Sequence, residues 1–196
     1  LDLNQKAKVY VREKAFQPHY SLRETGLREI GIESTFKGHE QVVLCGDHTA
    51  ICSDMTLFAN VKGHCCNPEG NRLLYGPSKT EHDDFCHEQN LIIQEEGKSV
   101  LFAGCAHRGI INILQKTEEI LGHAPTHVLA GMHLVKSGLN EQEENAFIQE
   151  LCSHLKSYTE TLFFTMHCTG TDQYHKMKAF AAHLAYCKKL NLFQEH

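Results

Sequence analysis

Three observations predict an α/β fold. Short apolar segments of strand length fill the first half of the chain, the pattern changes to alternating helix and strand after residue 109, and three of the later strands end in histidine-bearing turns. The chain has 196 residues, 41% of them hydrophobic, which is enough for one sizeable core, so a single domain over 1–196 is expected. The formal net charge of -5 reflects no excess of Lys or Arg, and no window holds a basic cluster, so nucleic acid is not an expected partner. No run approaches the roughly 20 apolar residues of a membrane helix, and the N-terminus lacks a signal-peptide pattern, so no membrane partner is expected either. The nine cysteines are odd in number and lie mostly inside apolar runs, which predicts reduced thiols and a cytoplasmic setting.

The chain opens on Leu1-Asp2-Leu3-Asn4 without an initiator Met or a cap before an apolar face, and reads as beginning in mid-domain. Lys8-Val9-Tyr10-Val11 alternates as a strand, and short apolar segments at 41–45 and 50–52 make the first part β-rich. Residues 60–87 are polar, contain Gly63, Pro68, Gly70, Gly76 and Pro77, and read as a long surface loop of the kind that carries function. Cys65-Cys66 lies in that loop, but no Cys-x-x-Cys pair occurs anywhere, so a zinc knuckle is not expected. Segments 90–94 and 99–102 flank Glu95-Glu96-Gly97-Lys98 and predict a β-hairpin.

Ile110, Ile113, Leu114, Thr117 and Leu121 then share one helix face that Gly122 ends, with Pro125 just beyond. A buried strand follows at 126–131. Asn140 opens the next helix, where Glu143 can reach back to complete a capping box, and its inward face is Phe147, Leu151, Leu155 and Tyr158. After a strand at 161–165, a last helix is expected to carry Met177, Phe180, Ala181, Leu184 and Cys187 inward. His127, His154 and His183 are assigned to the surface, and Cys45, Cys52, Cys152 and Cys187 to packing.

The three late strands end in Gly104-Cys105-Ala106-His107, Gly131-Met132-His133 and His167-Cys168-Thr169-Gly170. In one parallel sheet, all three histidines emerge at the edge where open α/β sheets bind ligands. Cys and His bind transition metals once deprotonated, so three such turns in register predict a shared metal or phosphate pocket. Thr169, Gly170 and Thr171 precede the last helix, whose N–H groups favour an anion. Cys168 follows His167 and would face the other way on a continuing strand, which assigns it to packing. Asp84 and Glu88 stand just before the hairpin, where they can orient the loop over the site.

In that order and at similar spacing, Gly104-Cys105-Ala106-His107-Arg108-Gly109-Ile110, Ala130-Gly131-Met132-His133-Leu134 and His167-Cys168-Thr169-Gly170 resemble the metallo-β-lactamase-fold proteins related to the archaeal dihydropterin-ribofuranosylaminobenzene-phosphate synthase. The resemblance covers essentially the whole chain and is most specific from Asp84 to Gly170. It implies a four-layer αββα sandwich with a metal centre at one edge of two sheets. It further implies His107 and His167 as metal ligands, His133 as a pocket residue, and Cys105 near the position of a bridging ligand. The implied cofactor is a divalent metal, zinc first, with iron or manganese also compatible. The implied reaction is hydrolysis or transfer on a phosphorylated or pterin-like small molecule by a metal-activated water.

The family's leading His-x-His-x-Asp-His motif is not found around His39, His48, His64 or His82-Asp83-Asp84. The domain is therefore expected to be N-terminally incomplete, an enzyme if completed by the missing segment and inactive without it. A second expectation, from a different class, is a non-catalytic binding or scaffold remnant that self-associates as a dimer or other homo-oligomer through the surface left bare. A cysteine-dependent oxidoreductase using Cys105 is disfavoured, because no resolving Cys stands nearby in sequence.

Overall fold

A computed structural model of the chain describes residues 4–135, 137–181 and 184–186. Strands β1 (Val9–Arg12) and β4 (Val42–Cys45) pair in parallel as a small two-stranded sheet. Strands β2 (Tyr20–Arg23), β3 (Gly26–Glu29) and β7 (Leu74–Tyr75) form an antiparallel sheet in the order β3-β2-β7. The main sheet is built from β5 (His48–Cys52), β6 (Met55–Ala59), β8 (Gln89–Glu95), β9 (Lys98–Ala103), β10 (His127–Ala130), β11 (Leu162–Thr165) and β12 (Leu184–Tyr186). Its order is β12-β11-β10-β9-β8-β6-β5.

Pairing in this sheet is antiparallel from β5 to β9 and parallel from β9 to β12. The change comes at β9, after which every connection is a helical crossover. Helix α1 (Ile110–Leu121) connects β9 to β10, α2 (Glu141–Leu155) connects β10 to β11, and α3 (Thr171–Phe180) connects β11 to β12. Each boundary has a local cause. The β8–β9 turn places Glu96 at φ 48° and Gly97 at φ 74°, the pair of positive values that suits the twist of a two-residue hairpin. Gly122 ends α1 in the left-handed conformation. At the start of α2 the Asn140 side chain accepts from the Glu143 N–H and the Glu143 carboxylate accepts from the Asn140 N–H, both at 3.0 Å. Such a box contributes about 1 kcal/mol.

Strand alternation divides the main sheet into two faces. Ile92, Leu101, Ala103, Val128, Ala130 and Phe163 point to one side, where they form a single core with Ile113 and Leu114 of α1 and Ile148, Leu151 and Leu155 of α2. On the other side the register aligns Leu91, Phe102, Leu129 and Phe164 in one row and Met55, Ile93, Val100, His127 and Leu162 in the next. This second face is also apolar, yet Met55 and Phe102 are 37% exposed and Leu162 is 48% exposed.

Two expectations are corrected. The last helix stops at Phe180, which is exposed, and Leu184 lies on β12 in register with Phe163. A third parallel pairing in the main sheet, which buries Leu184, overrides the helical spacing; Cys187 and His183 lie outside the described residues. The stretch 60–87 is more than a surface loop, since it contains β7 and a 3₁₀ turn at Glu69–Leu73 and buries Val61, Gly70 and Phe85. Among the described residues, no helix is long and apolar enough to cross a membrane.

Candidate metal centre

Ala103, Ala130 and Thr165 lie side by side at the ends of β9, β10 and β11, so the turns that follow emerge together. Backbone bonds join them: the Gly131 N–H donates to the Gly104 carbonyl at 2.7 Å, and the Leu134 N–H donates to the Cys168 carbonyl at 3.0 Å. The Thr169 hydroxyl, fully buried, accepts from the Met132 N–H at 3.0 Å and pairs with the Thr165 hydroxyl. That side chain is thus committed to holding two turns together, and Gly170 follows it at φ 82°.

Ala106, His133 and His167 all take positive φ, at 53°, 45° and 52°. Side chains rarely adopt this region, and the bonds between the turns hold them there. The strand alternation ends at Thr165, and His167–Thr169 forms a 3₁₀ turn. Cys168 therefore does not pack away from the site as its sequence position predicts. Its sulfur joins Cys105 Sγ and His167 Nδ1, with the three atoms within 4.8 Å of one another. Gly131 makes the approach possible, because a Cβ there would stand 2.6 Å from Cys168 Sγ and 2.9 Å from the Gly104 oxygen.

Cys105 Sγ lies 3.6 Å from His167 Nδ1. Hydrogen bonds from Cys168 and from His107 hold the Cys105 thiol far below its ordinary range, and the same contact with Cys105, together with burial, pushes Cys168 up. His107 is oriented by Asn71, whose amide nitrogen donates to the His107 carbonyl at 2.7 Å and whose oxygen faces His107 Nδ1 at 2.9 Å. That oxygen calls for a proton on Nδ1, which makes Nε2 the nitrogen that would face a metal.

Phe85 stacks on the His107 ring with centroids 4.6 Å apart, and the His133 ring lies 4.2 Å from that of His107. Burial and the neighbouring His107 charge lower His133 to about 4, so it is neutral at pH 7. Its buried Nδ1 has no hydrogen-bond partner among the described residues. Two cysteine sulfurs, imidazoles and an unpartnered buried nitrogen form a donor set that fits a divalent transition metal.

Glu88 and Arg108 secure the turn that carries His107. The Glu88 carboxylate accepts from the His107 N–H at 2.6 Å and from the Arg108 N–H at 3.0 Å. The Arg108 guanidinium donates to the carbonyls of Val61 at 2.8 Å and Gly63 at 3.2 Å. On the other side of Phe85, His19 Nδ1 meets Asp83 at 2.6 Å, and His87 joins them in a second cluster of metal-competent groups. A cavity of about 150 Å³ lies between this cluster and His107, walled by Ile30, Ile32, Leu74 and Phe85. A wider groove beside α2 and α3 contains neither Cys nor His.

The structure thus brings Cys105, His107, His133 and His167 together and places Thr169 behind them. It adds Cys168, Asn71 and the His19–Asp83–His87 cluster, and it gives Glu88 a definite orienting contact. Nothing local in the sequence marks Asn71 as the partner of His107, because the two are 36 positions apart.

No family model matches this chain, and no curated protein matches it. Among solved structures it is similar to the crystal structure of Tm1679, a metal-dependent hydrolase of the beta-lactamase superfamily, at 25% sequence identity and a TM-score of 0.71. The match covers 92% of this chain and 68% of that one. The mixed α/β architecture is therefore beta-lactamase-like, and a metal-dependent hydrolase as neighbour, together with the donor clusters, supports a divalent metal.

Proposed function

We propose that this chain is a metal-dependent hydrolase of the beta-lactamase superfamily, with His107 and His167 as metal ligands and Cys105 completing the set from the thiolate side. The observation that carries this reading is the cluster of Cys105, His167 and Cys168 at one sheet edge, with His107 against Cys105. Thiolate and imidazole donors favour zinc over iron, and both over manganese. When bound, such an ion lowers the pKa of a water toward about 7 and polarises a phosphoryl or carbonyl oxygen. The chain's own residues do the positioning: Asn71 sets the His107 tautomer, Glu88 fixes its backbone, and neutral His133 offers a ring nitrogen to the substrate. The cavity between His107 and His19, with Phe85 as a flat wall, suits a small phosphorylated or pterin-like molecule. The half-exposed apolar sheet face favours a four-layer αββα arrangement in which another layer covers it. Free thiols at all eight described cysteines suit a reducing, cytoplasmic compartment.

The test is metal content of the chain reconstituted with zinc, beside a His107→Ala, His167→Ala double variant. The variant is expected to retain one equivalent less. Equal content would overturn the assignment.

The exposed Met55, Phe102 and Leu162 favour a second reading, a non-catalytic module that pairs with another copy through the open sheet face. Self-association without zinc uptake at the His107 edge would select it.

A further inference from the structure

We propose that Cys65, Cys66 and His154 form a separate metal site, for a thiophilic divalent ion of the zinc class, which fastens the loop after β6 to helix α2. The spacing of the cysteines excludes a Cys-x-x-Cys knuckle, but the fold supplies the third donor from 89 positions away. Cys65 Sγ lies 3.9 Å from Cys66 Sγ and 3.5 Å from His154 Nε2, and the three atoms are within 4.8 Å of one another. Around a tetrahedral ion with about 2.3 Å to sulfur and about 2.0 Å to nitrogen, two sulfurs stand about 3.8 Å apart and sulfur and nitrogen about 3.5 Å. Both measured separations from Cys65 match those such an ion requires, and the third pair lies within reach of them. At 3.9 Å the two sulfurs are not bonded to each other, so both remain available.

The site is also preformed. The Cys65 N–H donates to Asn112 Oδ1 at 3.1 Å, and Asn112 Nδ2 donates to the Cys65 carbonyl at 3.0 Å. Asn112 is 2% exposed and belongs to the first turn of α1, so the cysteine backbone is anchored on a rigid, buried element. Cys66 is held at φ 48°, a strained conformation for a side chain of its kind.

The site shares no residue with the His107 edge and does not depend on the function proposed for it. An ion here would tie residues 65–66 to α2. Arg108 already holds the same loop at Val61 and Gly63, next to His107.

The test uses the full chain, reduced and stripped of metal, with Cys105→Ser and Cys168→Ser removing the thiols of the other cluster. Titration with cobalt(II) is expected to produce sulfur-to-cobalt charge-transfer absorption that saturates at one ion per chain and disappears on addition of zinc. Adding His154→Ala is expected to weaken cobalt binding by about tenfold or more without changing the far-ultraviolet circular dichroism. Adding Cys65→Ser and Cys66→Ser is expected to abolish the absorption. In the otherwise unaltered chain, which needs no change at the other cluster, Cys65→Ser with Cys66→Ser is expected to lower thiolate-bound cobalt by one equivalent. Absorption that survives these cysteine changes undiminished, or affinity unmoved by His154→Ala, overturns the proposal.

Discussion

Glu88 holds the His107 turn by two backbone hydrogen bonds, at 2.6 Å and 3.0 Å, so Glu88→Ala leaves the N–H groups of His107 and Arg108 without their acceptor. A hydrogen bond to a charged group is worth about 1.5–3 kcal/mol, which bounds the pair at about 3–6 kcal/mol. Part of this is offset. Burial pushes the Glu88 carboxyl above its ordinary range, and removing the group relieves that cost. The net loss is expected at about 2–4 kcal/mol, which for a chain of this size corresponds to a fall in Tm of about 4–16 °C. Urea unfolding followed by circular dichroism measures it, with the slope against urea unchanged. Glu88→Gln keeps one acceptor oxygen and is expected to fall about midway. Because His107 would lose its backbone support while remaining in place, zinc affinity at the sheet edge is expected to drop about tenfold or more in the alanine variant. A Glu88→Ala protein within about 0.5 kcal/mol of the parent would refute this reasoning and leave Asn71 and Arg108 as sufficient support.

Asp83 and His19 are a buried pair, with side chains 5% and 8% exposed. Burial pushes the Asp83 carboxyl up, but His19, His87 and the Phe85 N–H together hold it well below 3.8; burial pushes His19 down, but Asp83 carries it above 6.5. The carboxylate's contribution is present above pH about 4 and is lost as pH falls through its lowered value, while that of the imidazolium is present below pH about 6.5 and is lost as pH rises through its raised value. Asp83→Asn is therefore expected to be most destabilising between about pH 4 and 6.5, and a stability difference that stays flat from pH 4 to 9 would contradict the pairing. Gly131→Ala places a methyl 2.6 Å from Cys168 Sγ and is expected to cost about 1–3 kcal/mol by thermal unfolding. It should also slow alkylation of Cys105 at neutral pH, read by mass spectrometry, because the Cys168 hydrogen bond is displaced; unchanged alkylation would argue against the thiol pair. Phe102→Ser with Leu162→Ser, on the open sheet face, is expected to leave stability within about 1 kcal/mol and to abolish any self-association seen in sedimentation. Persistence of the oligomer would place its interface elsewhere.

Adjacent residues alone determined much of this architecture. The left-handed stop at Gly122, the Asn140–Glu143 box and the Glu96–Gly97 turn are each decided by φ values and hydrogen bonds within a few positions, so a linear reading finds them. The alternation of helix and strand after residue 109 likewise implied parallel pairing, and with it the meeting of Cys105, His107, His133 and His167 at one edge. Other features depend on register and on turns where strand alternation no longer applies. Leu184 has helical spacing from Met177 but finds its burial beside Phe163. Cys168 reaches Cys105 because the backbone enters the left-handed region at His167, and Gly131 leaves room for its sulfur. Asn71 finds His107, and Cys65 finds His154, across 36 and 89 positions of chain. Local pattern thus determined which residue types stand at the ends of the strands; tertiary structure decided which donor atoms meet, since that depends on the stacking of distant segments to within about an ångström.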